Sequence, residues 1–219
     1  MDFKEHFHRN AGTIITNTES YNNEYKDLTD TLLSITDFDL VDEFHRIKKE
    51  SKKQSEKSLS KPINNILKDR LVALGWEPEA EIFRDDEYTK DKKGTTWRLD
   101  FAKKKISVEV GFNHGGNIAH NLIKPTLAGE LNHVKKAIQT EVAIVISATK
   151  ELKKIGNFDG AVGSYEKILT YLKPYNQFLT VPLAIIGLEA PKTFFIDNQS
   201  YPDTGTRCKE LFEVAKRNV

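Results

Sequence analysis

Trp97 to Phe112 reads WRLDFAKKKISVEVGF. Apolar and polar residues alternate on both sides of three consecutive lysines, Lys103 to Lys105, the pattern of two strands joined by a tight turn. In the second strand Ile106, Val108, Val110 and Phe112 share one face, and Ser107, Glu109 and Gly111 the other. With the turn centred on Lys103 and Lys104, antiparallel pairing sets Asp100 opposite Ser107 and diagonal to Glu109, their backbones roughly 7–8 Å apart. A desolvated carboxylate without a partner is expensive. Two readings follow. Either this face is open to water and carries ordinary ion pairs, such as Arg98 with Glu109, or the two acids hold a cation between them. Arg98 and Lys105 have the parity to lie on the same face. Oxygen ligands without His or Cys suit Mg²⁺, which takes one or two carboxylates and keeps several waters.

The segments around the hairpin define the fold class. Upstream, SKPINNILKDRLVALGW (Ser60–Trp76) predicts a helix with Ile63, Leu67, Leu71 and Leu74 on one stripe. Ser60 is its candidate cap, Pro62 lies in the first turn, and Gly75 is the stop from which Trp76 folds back on Leu71. AEIF (Ala80–Phe83) is a short strand, followed by a polar loop over 84–96. Downstream, NHGGN (Asn113–Asn117) is a turn leading into a helix over 117–138 through Ile118, Leu122, Leu127, Leu131, Val134 and Ile138. VAIVISA (Val142–Ala148) is apolar throughout, as in a strand covered on both faces. Tyr165, Ile168, Leu169 and Leu172 predict a further helix, and VPLAIIGLEA a last buried strand. This order predicts an α/β fold, a mixed sheet flanked by helices. Before it, residues 19–47 are helical and Lys48–Lys61 is a lysine-rich connection. The expected organisation is therefore an N-terminal helical extension with that connection over 1–59, a core over 60–190 and a tail over 191–219.

The chain has 219 residues, 33 Lys and Arg against 32 Asp and Glu, and a formal net charge of +1. Its lysines nonetheless cluster, at 48–61, 90–93, 103–105, 135–136 and 150–154, either as a solvated surface or as patches for a polyanion. One cysteine, Cys208, excludes an intramolecular disulfide and a Cys-based zinc site. No apolar run approaches the roughly 20 residues that span a bilayer, and MDFKEHFHRN lacks the core of a signal peptide. A cytoplasmic (prokaryotic) protein with no membrane partner is expected. The histidines, including His114, His120 and His133, show no zinc-ligand spacing and are expected on the surface or in helix packing.

Asp100, eight residues, then EVGF resembles the active-site hairpin of the BglII/BstYI group of type II restriction endonucleases, in the PD-(D/E)XK nuclease superfamily, with BamHI a more distant relative. The likeness extends over roughly 60–189: Asn64, Lys68, Asp69 and Trp76 in the first helix, then VAIVIS, SYEKIL with Tyr165 and Glu166, and VPLAIIGL. It implies a restriction-endonuclease-like core and Mg²⁺-dependent hydrolysis of double-stranded DNA. Asp100, Glu109 and the Val110 carbonyl would be the metal ligands. Asn64, Arg98 and Lys105 would support the site. Where the group has Glu or Gln, and the wider superfamily Lys, this chain has Gly111. That role is vacant or has moved, with Lys105, Asn113 and His114 as candidates. The resemblance also implies that the loops 113–117 and 157–164 approach bases, through Asn113, His114, Asn117, Asp159 and Ser164. It further implies a palindromic, GATC-centred site, a homodimer with the 117–138 helix at its interface, and a cognate DNA methyltransferase as functional partner. Two other readings remain open: a DNA-binding protein on this scaffold that has lost cleavage, and an unrelated metal-assisted hydrolase.

Overall fold

The structure is a computed structural model that describes residues 1–50, 57–84, 97–130, 134–197 and the backbone of 207–210. The polar loop beyond Arg84 with its 90–93 lysines, Leu131, His133, part of the lysine-rich connection and most of the tail lie outside the described residues.

The strand with seven buried residues, Val142–Ala148, decides the architecture. Ile144 and Ile146 point into one apolar core, and Ala143 and Val145 into another. A strand apolar on both faces must lie in a sheet covered on both sides. It is β5 of a six-stranded mixed sheet in the order β1-β6-β5-β4-β3-β2. Here β1 is Phe3–His8, β2 Glu77–Glu81, β3 Arg98–Lys103, β4 Ile106–Val110 and β6 Leu183–Leu188. β4, β5 and β6 run parallel, while β1, β2 and β3 each pair antiparallel with their neighbours. A separate two-stranded ribbon joins β7 (Phe194–Asp197) to β8 (Arg207–Glu210).

One face is covered by α1 (Ala11–Asn17), α2 (Glu19–Ser34), α3 (Asp37–Glu50) and α4 (Ser60–Ala73), through Leu28, Leu32, Phe44, Ile63, Leu67 and Leu71. The other is covered by α5 (Ile118–Gly129) and α7 (Tyr165–Tyr175), through Ile118, Leu122, Tyr165 and Ile168. A short α6, Lys150–Ile155, follows β5. The α/β class and mixed sheet are as expected. No transmembrane-length apolar helix occurs among the described residues.

The α4 terminus follows the expected chemistry. Gly75 adopts φ 80°, the Trp76 N–H donates to the Leu71 carbonyl at 3.0 Å, and the Gly75 N–H donates to Val72 at 2.9 Å. That is the double bond pattern of a Schellman stop. Its start differs: Ser60 is already helical and the cap position is Leu59, which gives no side-chain cap. The N-terminal segment also differs, since Phe3–His8 adds a strand to β6 where only helices were expected. Residues 19–47 break into two helices at Ile35 and Thr36. The helix expected over 117–138 ends at Gly129, and Phe83 bridges to Lys136 instead. Val134 and Ile138 pack with Phe83 and Leu99 in a third apolar cluster. Their spacing was apolar because that cluster needs them, not because the helix continues.

Candidate active site

The hairpin register fixes the site. Phe101 pairs with Val108, Ala102 with Ser107 and Lys103 with Ile106. The tip is therefore Lys104 and Lys105, with Lys104 at φ 49°, not Lys103 and Lys104. Continuing this register sets Asp100 directly opposite Glu109 rather than diagonal to it. The shift is two residues, and side chains alternate with period two, so the faces are unchanged. The pair is closer than the expected register made it.

The three turn lysines are occupied elsewhere. Lys103 lies 2.7 Å from Asp27 and 3.0 Å from Glu24 of α2, and Lys104 also pairs with Glu24. Lys105 pairs with Glu141 at 3.0 Å, at the far end of β4 from Gly111. It does not stand in for the missing side chain. Arg98 pairs with Glu81 at 3.1 Å, not with Glu109.

Both acids are desolvated. The Asp100 carboxylate accepts the Val110 N–H at 2.6 Å. Burial raises its pKa and the nearby Glu79 adds to the rise, while that N–H and Lys124 oppose it. Glu109 is 2% exposed. Burial first, and then the Asp100 carboxylate, push its pKa up to about 8 against the pull of Lys124. One Glu109 oxygen lies 2.7 Å from the Lys124 Nζ. The other, Oε1, is buried with no hydrogen-bond partner among the described residues. Folding has placed two carboxylates together out of water and left an oxygen unsatisfied, an arrangement that costs stability and marks functional sites.

A cleft of about 130 Å³ opens beside Asp100, lined by Asn64, Lys68, Pro78, Glu79, Phe101 and Val110. Asn64 and Lys68 are one helical turn apart on α4 and so share a face. Glu79 stands opposite Asp100 on β2, between the pairs Pro78–Phe101 and Ala80–Leu99, with φ 52°. A glutamate in left-handed backbone is strained, and such strain collects at functional sites.

Gly111 has a structural explanation. A Cβ there would meet the Asn121 Nδ2 at 3.0 Å. Asn121 is buried on α5 and exchanges two hydrogen bonds with Asn113, at 2.9 and 3.2 Å. The glycine lets α5 approach β4 closely enough for Asn121 and, three residues on, Lys124 to reach the two ends of the Glu109–Gly111 segment. We expect Gly111→Gln to lower stability by about 1–3 kcal/mol through overpacking, read as a lower melting temperature. Adding Asn121→Ala is expected to recover most of the loss.

The two loops anticipated at DNA are joined to each other. His114 bridges to Val162, the Gly115 N–H donates to Ala161 at 2.7 Å, and the Gly163 N–H to Asn113 at 3.1 Å. They border a cleft of about 590 Å³ that also presents Lys150, Lys153 and Lys167. Within the loops, His114 Nδ1 accepts the Gly116 N–H, Asp159 accepts the Ala161 N–H, and Ser164 caps α7 by accepting the Lys167 N–H. Asn113 faces Asn121, and Asn117 is exposed at the start of α5 with no side-chain cap bond. His120 packs near Trp97, 6.4 Å between ring centres. Lys124, Asn121 and Glu79 are site residues that sequence reading missed. The i, i+3 spacing of Asn121 and Lys124 was the available signal, masked by Pro125, which reads as a helix interruption.

The donor set fits a hard divalent ion. Two carboxylates and the Val110 carbonyl, which accepts the Phe112 N–H at 3.1 Å and keeps a second lone pair, supply only oxygen. Among the described residues no three His, Cys, Asp or Glu side chains cluster as a metal site, so waters would complete the shell.

The fold superimposes on restriction endonuclease BglII complexed with a DNA 16-mer at a TM-score of 0.61, with 19% identity, over 96% of this chain and 100% of that one. It also superimposes on free BglII at 0.53, with 18% identity, over 96% and 94%. The architecture is that of a type II restriction endonuclease. The chain belongs to the restriction endonuclease BglII/BglIII family, whose profile matches residues 3–188. A comparison with curated protein sequences gives no match. Membership makes it a type II site-specific deoxyribonuclease, and enzymes of this family use a divalent metal.

Proposed function

We propose that the protein cuts double-stranded DNA at a short palindrome with Mg²⁺ as its cofactor, held by Asp100, Glu109 and the Val110 carbonyl. The observation that carries this is Glu109: buried, set opposite a second, half-buried carboxylate, and left with an unsatisfied oxygen. Nothing in a purely structural ion pair calls for that second acid. When bound, the ion lowers the pKa of an attacking water and offsets charge building on the phosphate.

The chain's own groups do the rest. The Val110 N–H fixes one Asp100 oxygen and so orients the other. Lys68 and Asn64 wall the cleft beside Asp100 and are placed to hold a phosphate oxygen or a water. The cleft under the joined loops, with Lys150, Lys153 and Lys167, gives the backbone of DNA a basic seat. His114 and Ser164 line it, and with Asn113, Asn117 and Asp159 of the same two loops they are the residues that would face the bases. A homodimer would match a palindrome, a GATC-centred site is the first to try, and a methyltransferase would protect the host's own copies.

Plasmid DNA incubated with the protein and Mg²⁺ is expected to give discrete fragments. Glu109→Ala is expected to cut at least about 1000-fold more slowly, since a metal ligand is lost. Equal cutting by Glu109→Ala would sink the assignment. Tight binding without cutting by the unaltered protein would favour a DNA-binding protein that has lost its chemistry, the reading that Gly111 by itself suggests.

A further inference from the structure

We propose that Lys124 has taken over the part that position 111 gave up: its ammonium is the counter-ion of Glu109 while no divalent ion is present, and it pairs with the phosphate being cut once one is. This rests on the metal-dependent reading above and names a residue that the family's strand motif does not contain.

Three observations converge on Lys124. Its Nζ lies 2.7 Å from Glu109 with the side chain only 12% exposed, so the ammonium is held in the site and not in solvent. It comes from α5, the helix that Gly111 admits: the space a side chain at 111 would fill is occupied by Asn121, one turn earlier on the same helix face. And Lys124 bonds one Glu109 oxygen while the other stays bare. An ammonium has three donors, and this ion pair uses one.

Charge balance then dictates what happens on loading. Asp100, Glu109 and Lys124 together carry one net negative charge when all are ionised. A divalent ion brings the site to one net positive charge, and a phosphodiester returns it to neutrality. Lys68 and Glu79 of the adjoining cleft cancel one another, so without Lys124 the same loaded complex would carry one net negative charge in a desolvated place, where such charges are costly. With a dication held there, the Glu109 carboxylate would no longer compete for the ammonium. A flexible four-carbon stem lets the ammonium turn to the nearest remaining anion, a non-bridging phosphate oxygen. Until then Lys124 and the metal compete for the same carboxylate, so the lysine both weakens metal binding in the DNA-free protein and strengthens catalysis in the complex. A merely structural ion pair predicts the first of these but not the second.

The test uses the full chain as Lys124→Met, with Lys124→Gln as a second neutral variant and Lys124→Arg as the conservative one. Calorimetric titration with Mn²⁺ in the absence of DNA is expected to show binding about tenfold tighter in Lys124→Met and Lys124→Gln than in the unaltered protein. At saturating Mg²⁺ both are expected to lose at least about 100-fold in kcat, with KM for DNA changed little. Lys124→Arg is expected to recover part of kcat and to return the Mn²⁺ affinity toward the starting value. An unchanged kcat in the neutral variants overturns the proposal, and so does an unchanged or weakened Mn²⁺ affinity. If the unaltered protein neither cuts DNA nor binds Mn²⁺, the metal-dependent reading fails instead.

Discussion

Asp100→Asn is expected to abolish cleavage and, at the same time, to make the protein more stable at alkaline pH. The loss comes from the ligand set. Asparagine would present a neutral, weaker donor where the proposed metal site calls for an anion, and a loss of several kcal/mol in transition-state charge stabilisation is on the order of 10³-fold or more in rate. The gain comes from desolvation. Burial lifts the Asp100 carboxyl above its ordinary range, Glu79 adds to that, and the Val110 N–H and Lys124 only partly offset it. An acid raised on folding keeps its proton in the native state at pH values where the unfolded chain has released it. Stability therefore falls as pH climbs from the unfolded value through the folded one, and the penalty persists above it. Asparagine retains an oxygen for the Val110 N–H but no charge to desolvate. Thermal melting should show a higher melting temperature for Asp100→Asn at pH 8, and the gain should shrink as the pH falls below the ordinary carboxylate range, where the unfolded chain too keeps its proton. A lower melting temperature at pH 8 would mean that Asp100 is held by attractive partners rather than imposed on the fold.

The second large effect lies in the sheet. Gly187→Ala is expected to destabilise the protein by about 3 kcal/mol or more, a fall of about 6–12 °C for a chain of this size. A Cβ at 187 would sit 2.5 Å from Cγ of Tyr165 and 2.9 Å from its Cβ, where carbon atoms prefer about 3.5–4.0 Å. Neither side can give way. Gly187 belongs to β6, held between β1 and β5, and Tyr165 is buried in the first turn of the capped helix α7. Gly160→Ala is the matched control, because a Cβ there meets nothing within 4 Å. Equal melting temperatures for the two variants would refute the close-approach explanation. The tyrosine of the SYE segment thus has a plain structural job: it seats α7, and the loop before it, on the sheet.

Much of this was legible in the chain. The uninterrupted apolar run of β5, the stripe and glycine stop of α4, and the two acids in the hairpin each carry a local signal with a physical cause. What stayed hidden depends on partners distant in sequence. Phe3–His8 alternates too little to read as a strand, and it is one only because the edge of β6 is free to receive it. The hairpin register turned on whether Lys103 sits in the turn or in the strand, and that was settled by Glu24 and Asp27 of α2, 79 and 76 residues away. Lys124 lies 15 residues beyond Glu109, next to a proline, and its importance appears only when α5 is laid across β4. Even so, the glycine that looked like a missing part was itself the clue that something else occupies that space.

The backbone bonds that tie residues 113–115 to 161–163 bear on how new specificities arise in such a scaffold. Two stretches some fifty positions apart behave as one rigid rim, so a change in either must be accommodated by the other. On the proposed reading, in which these loops face the bases, target preference would be inherited as a matched couple, and a single exchange would be expected to spoil the rim before it retuned it.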